Sequence, residues 1–468
     1  MNNEYMDNVT FDELTLGQKA TLMRTLTLND INLFAAMSGD INPAHMDPNF
    51  AQSDIFHGVV GHGMWSGALI STLLGTVLPG PGTIYLEQDL QFKMPVRVGD
   101  NLILTIVVKN KEPVKKIVHF DCTGVNQKSE VVIAGLAKVI APSKKLRVAR
   151  ATLPHVEILN HDHFNATITS CREVPPIITA VVHPVTANVL EAVADSVKAG
   201  LITPVLIGPV EKIKAAAKQA EIELSEWKII DTEHSNAAAT KAVELASAGK
   251  VDAIMKGSLH TDELMSAVVP VTSGLRTKYR ISHVYVMDVP TYHKPLLITD
   301  AAINIAPNAS DKADICQNAI NLWRVLYGDE TKPKVAILAA VEVVNPKMQT
   351  TVDAAVLCKM ADRGQITGGI LDGPLAFDNA INKQAAEDKN IVSQVAGDAD
   401  ILLVPEIESG NILAKQLSFL GHADAAGIVL GARVPIILAS RADSLRTRLL
   451  SCAVAVKIAA ARKAGRIK

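Results

Sequence analysis

The chain has 468 residues with 46 basic and 48 acidic side chains, which gives a formal net charge of −2. This balance excludes the strongly basic surface that is typical of nucleic-acid and anionic-membrane binding. Hydrophobic residues make up 48% and aromatic residues 4%, so we expect globular units with aliphatic cores rather than stacking platforms for single-stranded nucleic acid. At roughly 150 residues per domain, the length predicts about three domains or lobes.

Cysteine usage and the N-terminus both bear on the compartment. The five cysteines are scattered, at positions 122, 171, 316, 358 and 452, and no pair has a metal-ligand spacing, so no disulfide framework is expected. The first residues lack the basic and apolar regions of a signal peptide. The longest uncharged stretch, Met64–Leu86, contains Pro-Gly-Pro-Gly, which disfavours a spanning helix. We therefore expect a soluble, cytoplasmic protein.

Residues 1–141 are predicted to form an α+β domain in which a sheet wraps one buried helix. The helix is expected at Ser66–Leu78, and runs rich in β-branched residues follow it, separated by polar turns. These runs predict strands at Ile84–Met94, Asn101–Lys109, Lys116–Gly124 and Val131–Ile140. Residues 142–172 carry clustered charge and little periodicity, and they are predicted to be a linker.

Residues 173–468 alternate between apolar strands and Ala-rich helices. This alternation predicts mostly parallel sheets with helices on both faces, and the length favours two α/β lobes. Strands are expected at Ile177–Val182, Pro204–Ile207, Ala253–Lys256, Ser282–Met287, Val335–Ala339, Gly369–Leu371, Ile401–Pro405, Ala426–Gly431 and Pro435–Ala439. Helices are expected at Ala187–Ala199, Val210–Ala220, Asn236–Ala248, Lys312–Leu326 and Arg446–Arg462.

One short segment of the first domain, S-G-D-I-N-P-A-H-M-D-P at positions 38–48, places Asp40 and His45 five residues apart in a turn. A carboxylate and an imidazole that converge on one point form a general acid/base pair. Downstream, Gly63 lies at the expected start of the buried helix, where free backbone N–H groups can polarise a carbonyl oxygen. The alternative is that Asp40 and Asn42 are turn or cap residues and that His45 is a hydrogen-bonded polar side chain.

The pattern D-x-N-P-x-H-x-D followed by H-G-M resembles the MaoC-like, hot-dog-fold (R)-specific enoyl-CoA hydratases. The resemblance extends through L-P-G-P-G-T-I-Y-L and F-K-M-P-V-R-V-G-D, over about residues 15–140. It implies that Asp40 and His45 hold the water that adds to C3 of an enoyl thioester and deliver a proton to C2. It also implies that Gly63 supplies an amide to the thioester carbonyl, with Asn42 and Ser71 near the substrate. Ser71 is alternatively a helix packing residue.

The second half lacks the glycine-rich dinucleotide and Walker signatures, as well as the H-E-x-x-H and G-x-S-x-G patterns. Ligands of open α/β sheets bind at the carboxyl ends of strands. The junction at Ser440, Arg441 and Asp443 combines a hydroxyl, a guanidinium suited to phosphate, and a possible base ahead of the last helix. The alternative is an ordinary N-cap with a solvated arginine.

Segments throughout residues 170–465 are similar to phosphate acetyl/butyryltransferases, which exchange an acyl group between CoA and inorganic phosphate. The segments are MKGSLHTDEL, RISHVYVMDVP, LLITDAAINIAPN, LDGPLAFDNAI, DILLVPEIESGNILAKQL and AGIVLGARVPIILASRADS. Two of these segments are more similar in sequence to the butyryl branch than to the shortest acetyl-specific enzymes, namely LDGPLAFDNAI and PEIESGN. The similarity implies that Arg441 binds phosphate and that Ser440 hydrogen-bonds the CoA sulfur or the oxyanion.

Other site residues follow from this similarity. Arg276 resembles a second active-site arginine, and Lys256 and Asn379 are expected in the pocket, although each also fits an ordinary junction or helix-start role. The acetyl branch has its catalytic acid several residues after the Ser-Arg pair, where this chain reads Leu-Arg-Thr, so Asp443 is its expected replacement.

We therefore expect a fusion of an (R)-specific enoyl-CoA hydratase domain and a phosphate acyltransferase domain. CoA thioesters and phosphate are its small-molecule substrates, no cofactor is permanently bound, no metal is used, and neither nucleic acid nor membrane is a partner. We expect a homo-oligomer, a dimer or larger, because hot-dog domains commonly pair through their sheets. One alternative makes the hot-dog domain a non-catalytic acyl-CoA-binding or oligomerisation module. Another alternative makes the second half a metal-dependent, NAD-using decarboxylating dehydrogenase. The sequence shows neither the cluster of Asp metal ligands nor the catalytic Tyr/Lys pair that such an enzyme needs.

Overall fold

The computed structural model describes residues 4–153, 156, 158, 162–171, 173–438 and 444–467. The chain divides into two compact units, Met1–Ile158 and Leu159–Lys468. Parts of the predicted linker at 142–172 are regular structure: a strand at Arg147–Ala149 pairs with Tyr5–Asp7 in the first unit, and a helix at Asp162–Ser170 packs on the last helix of the second unit.

The first unit is a five-stranded antiparallel sheet that wraps one apolar helix, α4 (Gly63–Thr76). The sheet order is β2-β4-β5-β6-β3. The elements of the whole first unit are β1 (Tyr5–Asp7), β2 (Lys19–Thr25), α1 (Leu28–Ser38), α2 (Pro43–Met46), α3 (Pro48–Ser53), α4, β3 (Ile84–Phe92), β4 (Asn101–Glu112), β5 (Ile117–Val125), β6 (Val131–Ile140) and β7 (Arg147–Ala149).

Period-two alternation explains why this sheet has one buried face. Along β4 every second side chain is buried, from Leu102 through Leu104 and Ile106, because successive side chains point to opposite faces of a strand. These residues belong to the same core as Ile70 and Leu73 of α4. Burying this apolar surface is the main favourable contribution to the stability of the unit.

The second unit is an eleven-stranded, mostly parallel sheet with helices on both faces, which confirms the predicted fold class. Its elements are α5 (Asp162–Ser170), β8 (Ile177–Val182), α6 (Ala187–Lys198), β9 (Ile202–Gly208), α7 (Val210–Gln219), β10 (Lys228–Asp231), α8 (Ser235–Ser247), β11 (Ala253–Lys256), α9 (Thr261–Val268), β12 (Ser282–Asp288), β13 (Leu296–Thr299), α10 (Ala309–Tyr327), β14 (Lys334–Leu338), α11 (Gln349–Asp362), β15 (Ile370–Leu375), α12 (Phe377–Ile381), α13 (Lys383–Asp388), β16 (Ile401–Leu403), α14 (Ile407–Phe419), β17 (Asp424–Leu430), β18 (Ile436–Ile437) and α15 (Leu445–Lys463), with a short 3₁₀ turn at Val271–Ser273.

The two lobes share this one sheet, whose order is β10-β9-β8-β11-β18-β17-β12-β13-β16-β14-β15. Seven strand pairs are parallel, and the three antiparallel pairs involve the central strands β12 and β17. One core cluster extends across both lobes on one face. Each lobe also has its own cluster, one containing Leu264 of α9 and the other Leu402 of β16. In the described part of the chain, no helix is long and apolar enough to cross a membrane.

Candidate functional sites

The first site is built on the loop that joins α1 to α2. Helix α1 ends at Gly39, whose φ of +75° turns the chain back, and Asp40 follows with an exposed side chain. Asn42 begins α2 as its N-cap, with its side-chain oxygen accepting from the Ala44 N–H at 3.1 Å. His45 lies on the one turn of α2. The cap therefore fixes the backbone from Asp40 through α2, and this backbone conformation brings the side chains of Asp40 and His45 together.

A backbone contact sets the tautomer of His45. Its Nδ1 lies 2.8 Å from the Val60 carbonyl oxygen, and a carbonyl can only accept. The proton of the neutral ring is therefore on Nδ1, and Nε2 carries the lone pair. An imidazole held in this way can take a proton from water at Nε2, which is the general-base role predicted for it.

His62 completes the site, and the sequence argument assigned it no role. Its Nε2 lies 3.0 Å from the backbone carbonyl oxygen of Asp40, and its ring centroid lies 4.0 Å from that of His45. The side chain is only 3% exposed. The H-G-M motif marked this histidine, but only the tertiary structure shows what it contacts.

Gly63 opens α4 immediately after His62, and no side chain caps the N-terminus of this helix. The first amides of a helix have no intrahelical partner, so they can donate to a substrate oxygen. A Cβ at Gly63 would lie 3.1–3.3 Å from the Phe92 ring, which explains the requirement for glycine at this close approach. Ser71 is exposed on α4, two turns further on.

The same group has metal-ligand spacing. One ligand atom from each of Asp40, His45 and His62 lies within 4.8 Å of the other two. Among the described residues, these three side chains form the group that could hold a metal ion. In each histidine, the other ring nitrogen lies at hydrogen-bond distance from a backbone carbonyl oxygen. Metal-ligating histidines show the same arrangement. The acid/base chemistry described for the pair does not require an ion.

The second site is a cleft of about 800 Å³ between the two lobes. Lys256 lies at its edge where β11 ends, and the cleft is also lined by His260, His283, Tyr285, Glu408 and Asn411. Leu438, just after β18, is a further lining residue. Ser440, Arg441 and Asp443 follow Leu438 in the chain but lie outside the described residues. Helix α15 begins after them, with Ser444 as its N-cap.

His283 lies on β12 at this cleft and is 1% exposed. Burial lowers the pKa of His283 to about 3, because an apolar setting disfavours the charged ring. The ring packs edge-on against Tyr285 with centroids 4.4 Å apart. A Cβ on Gly427 would lie 3.1 Å from the His283 Nε2, so the glycine of β17 leaves room for the ring. The cleft therefore contains a neutral imidazole that can exchange hydrogen bonds but cannot act as a general acid.

A smaller cavity of about 280 Å³ also has Lys256 in its lining. It lies where Thr186 and Ser258 meet, with 2.8 Å between their hydroxyl oxygens. Arg448 of α15 is part of the same lining, and its Nη1 donates to the Asn188 carbonyl at 2.8 Å. The first turns of α15 and the end of β11 thus form a polar, positively charged region around this cavity.

Two further predicted pocket residues have other contacts in the structure. Asn379 is fully buried, where its amide donates to the Ala385 carbonyl and its oxygen accepts from Lys389. Arg276 lies in the loop before β12, in an isolated bridge with Ala432. Their place in the active site stays a prediction.

Two family descriptions match the chain. A MaoC like domain matches residues 13–129, and Phosphate acetyl/butaryl transferase matches residues 233–456. The chain is 55% identical to a phosphate acetyltransferase of Rhizobium meliloti over 304 residues, which are 65% of this chain and 96% of that protein. The chain therefore belongs to the phosphate acetyl/butyryltransferase family, and it carries a MaoC-like domain ahead of the transferase unit.

Solved structures match each half. A branched-chain phosphotransacylase from Enterococcus faecalis is 30% identical, covers 60% of this chain and 99% of its own, and has a TM-score of 0.54. An R-hydratase from Pseudomonas aeruginosa is 44% identical, covers 33% of this chain and 99% of its own, and has a TM-score of 0.32.

Proposed function

We propose that the chain is a bifunctional acyl-CoA enzyme. Its second unit transfers an acyl group from CoA to inorganic phosphate, and its first unit adds water to a 2-enoyl-CoA. The observation that carries the transferase assignment is the match along 96% of a phosphate acetyltransferase. The observation that carries the hydratase assignment is the convergence of Asp40 and His45 with His62, the residue before Gly63, in a region that matches the MaoC like domain.

For acyl transfer, a phosphate oxygen attacks the thioester carbonyl, the C–S bond breaks, and CoA leaves as its thiol. The chemistry requires phosphate to be held in line and charge on the tetrahedral oxygen to be stabilised. We assign Arg441 to phosphate and Ser440 to the sulfur or the oxyanion. Asp443 is the proposed base. Lys256 and Arg448, near the start of α15, supply positive charge to the smaller cavity.

Release of CoA thiol from acetyl-CoA and from butyryl-CoA, measured with and without phosphate, tests this assignment. We expect phosphate-dependent release, and replacing Arg441 by Gln is expected to lower the rate at least 100-fold. Arg363→Gln is the matched control, because Arg363 is an exposed helix-end residue of the same unit and should leave the rate unchanged. Absence of phosphate-dependent release by the wild-type chain would refute the transferase assignment.

For hydration, the Asp40 carboxylate and Nε2 of His45 hold a water molecule. The oxygen adds to C3 as His45 takes one of its protons, and a proton is returned to C2. The Gly63 amide stabilises the enolate-like charge on the thioester oxygen. The two side chains and the Gly63 backbone amide of this unit account for each step, so no resident cofactor or metal is proposed.

Loss of the conjugated enoyl absorbance of crotonyl-CoA tests the second activity. Asp40→Asn removes the carboxylate charge at nearly constant shape, and we expect hydration to fall at least 100-fold, which is the lower range for an acid/base group. Asp121→Asn is the control, because Asp121 is exposed and only pairs with Lys109 on the sheet surface. If the wild-type chain binds crotonyl-CoA without hydrating it, the first unit is the non-catalytic acyl-CoA-binding module considered above.

We also propose that the protein is a homo-oligomer in the cytoplasm. Strand β3 lies at the edge of its sheet and exposes Ile84, Leu86 and Phe92, a surface suited to pairing with a second copy. All five cysteines are unpaired, which fits a reducing compartment. Light scattering of the purified chain tests the oligomer, with a monomer mass as the contrary result.

A further inference from the structure

We propose that His62 is the positioning residue of the hydration site, holding the three functional groups in one geometry. This inference rests on the proposed hydratase function. It starts from a single observation: one buried side chain contacts Asp40 and His45 and directly precedes Gly63 in the chain.

The contact to Asp40 goes through the backbone. The His62 Nε2–H donates to the Asp40 carbonyl oxygen at 3.0 Å, and within the loop the Asp40 side chain accepts from the Asn42 N–H at 3.2 Å. The loop at Asp40 is otherwise exposed. The His62 bond therefore ties an exposed loop to the start of a buried helix, and it fixes the point from which the Asp40 carboxylate projects.

The contact to His45 is a stacked one. The two ring planes are tilted by 37° at a centroid distance of 4.0 Å, and Phe34 contacts the His62 ring at 4.9 Å. Together with the Val60 contact at Nδ1, this packing leaves the His45 ring one orientation, with Nε2 directed to the water position. His62 thus acts on the base through shape and not through proton transfer.

The surroundings of the His62 ring suit this role. Its Nδ1 is buried and has no hydrogen-bond partner within the described residues, so the ring is held by its Nε2 contact to Asp40 and by its packing against His45 and Phe34.

Three substitutions separate the hydrogen bond from the ring. His62→Gln can place an amide N–H where Nε2 is, His62→Asn places one nearer Nδ1, and His62→Phe keeps the ring without the donor. We expect kcat for crotonyl-CoA hydration to stay within about tenfold for Gln and to fall about 100-fold for Asn and Phe, the loss that misplacement by about 1 Å can cause. The KM for crotonyl-CoA should change less than threefold, because His62 is buried and its proposed role is to position other groups and not to bind substrate.

The full chain supplies its own controls. Phosphate-dependent acyl transfer normalises the amount of chain in each preparation, and an unchanged KM for crotonyl-CoA shows that the first unit is folded. His57→Gln changes an exposed histidine of the same unit that lies outside the cluster. Wild-type kcat in both the Asn and Phe variants, or an equal loss in Gln and Phe, would overturn the inference. Lack of hydration by the wild-type chain is a different result, because it refutes the hydratase function itself.

Discussion

Buried imidazoles recur in both units of this protein. The rings of His62, His183 and His283 each have an Nδ1 without a hydrogen-bond partner among the described residues. For His183 and His283, burial lowers the pKa of the ring. Buried histidines in such settings supply shape and hydrogen bonds, which fits the proposal that Asp40 and His45 carry the acid/base chemistry of the first unit.

We expect the protonation of His283 to make the stability of the second unit depend on pH. Its pKa is about 3 in the folded chain against 6.5 for an ordinary histidine, so the unfolded chain binds the extra proton. Stability is fully present above pH 6.5 and is lost as the pH falls towards 3. By this linkage the loss at pH 5 is about 2 kcal/mol. We expect the urea midpoint for loss of acyl transfer to fall more steeply between pH 7.5 and 5 in the wild type than in His283→Gln. Parallel midpoints would contradict this prediction.

A buried ion pair joins α10 to α11. The Lys312 Nζ lies 2.7 Å from Asp353 Oδ2, and the two side chains are 5% and 8% exposed. Asp353 also accepts from Gln349 at 2.8 Å.

Breaking this pair on one side leaves a buried carboxylate without its cation. We expect Lys312→Met to destabilise the second unit by about 3–5 kcal/mol. The double variant Lys312→Met/Asp353→Leu removes both charges, and it should recover most of that loss. Urea unfolding of the two variants measures the difference. If the single and double variants unfold at the same midpoint, the pair has no such role.

At the scale of elements, one glycine decides whether two strands of the first unit can pair. A Cβ on Gly135 of β6 would lie 1.9 Å from the Asp89 carbonyl oxygen of β3, which is closer than any real contact. We therefore expect Gly135→Ala to separate β3 from β6 and to abolish hydration while acyl transfer continues. Gly75→Ala is the matched control, because nothing lies within 4 Å of its Cβ and alanine favours a helix. Normal hydration by the Gly135→Ala variant would contradict the assignment of β3 to the sheet.

Local patterns predicted the elements well where one face or a whole strand is apolar. The strand predicted at Val131–Ile140 and the one predicted at Ala253–Lys256 have those bounds in the structure. Short or polar elements were missed, such as β10 and α9, since four residues or a mixed surface give little periodicity. The antiparallel run of β12 and β17 was also beyond prediction, because a strand's sequence does not encode its neighbour's direction.

In the first site too, local motifs predict some features, and others depend on the tertiary structure. The proximity of Asp40 and His45 was predictable because one short motif carries both residues. The link from His62 to Asp40 spans 22 residues and depends on how α4 meets the α1–α2 loop, so no local pattern shows it. The burial of Asn379 is a tertiary feature of the same kind: it lies at the start of α12, and its side chain is packed in the core.

At the scale of the whole molecule, the low aromatic content follows from how the second unit packs. Helix α15 buries Ala453, Val454, Ala455 and Val456 in sequence, and small side chains of this kind let a helix lie close to a sheet. The cores are separate as well: in the described part of the chain, one hydrophobic cluster belongs to the first unit and three belong to the second.

Separate cores predict separate unfolding. Because each unit buries its own apolar surface, we expect hydration and acyl transfer to be lost at two different temperatures when the full chain is heated and each residual activity is assayed. The variants cross-check the assignment: Lys312→Met should lower the midpoint for acyl transfer only, and a mild variant of the first core, Ile106→Val, the midpoint for hydration only. Ile106 is fully buried on β4, and losing one methyl group there costs about 0.5–1.5 kcal/mol. Equal shifts of both midpoints by either variant would show instead that the two units fold as one.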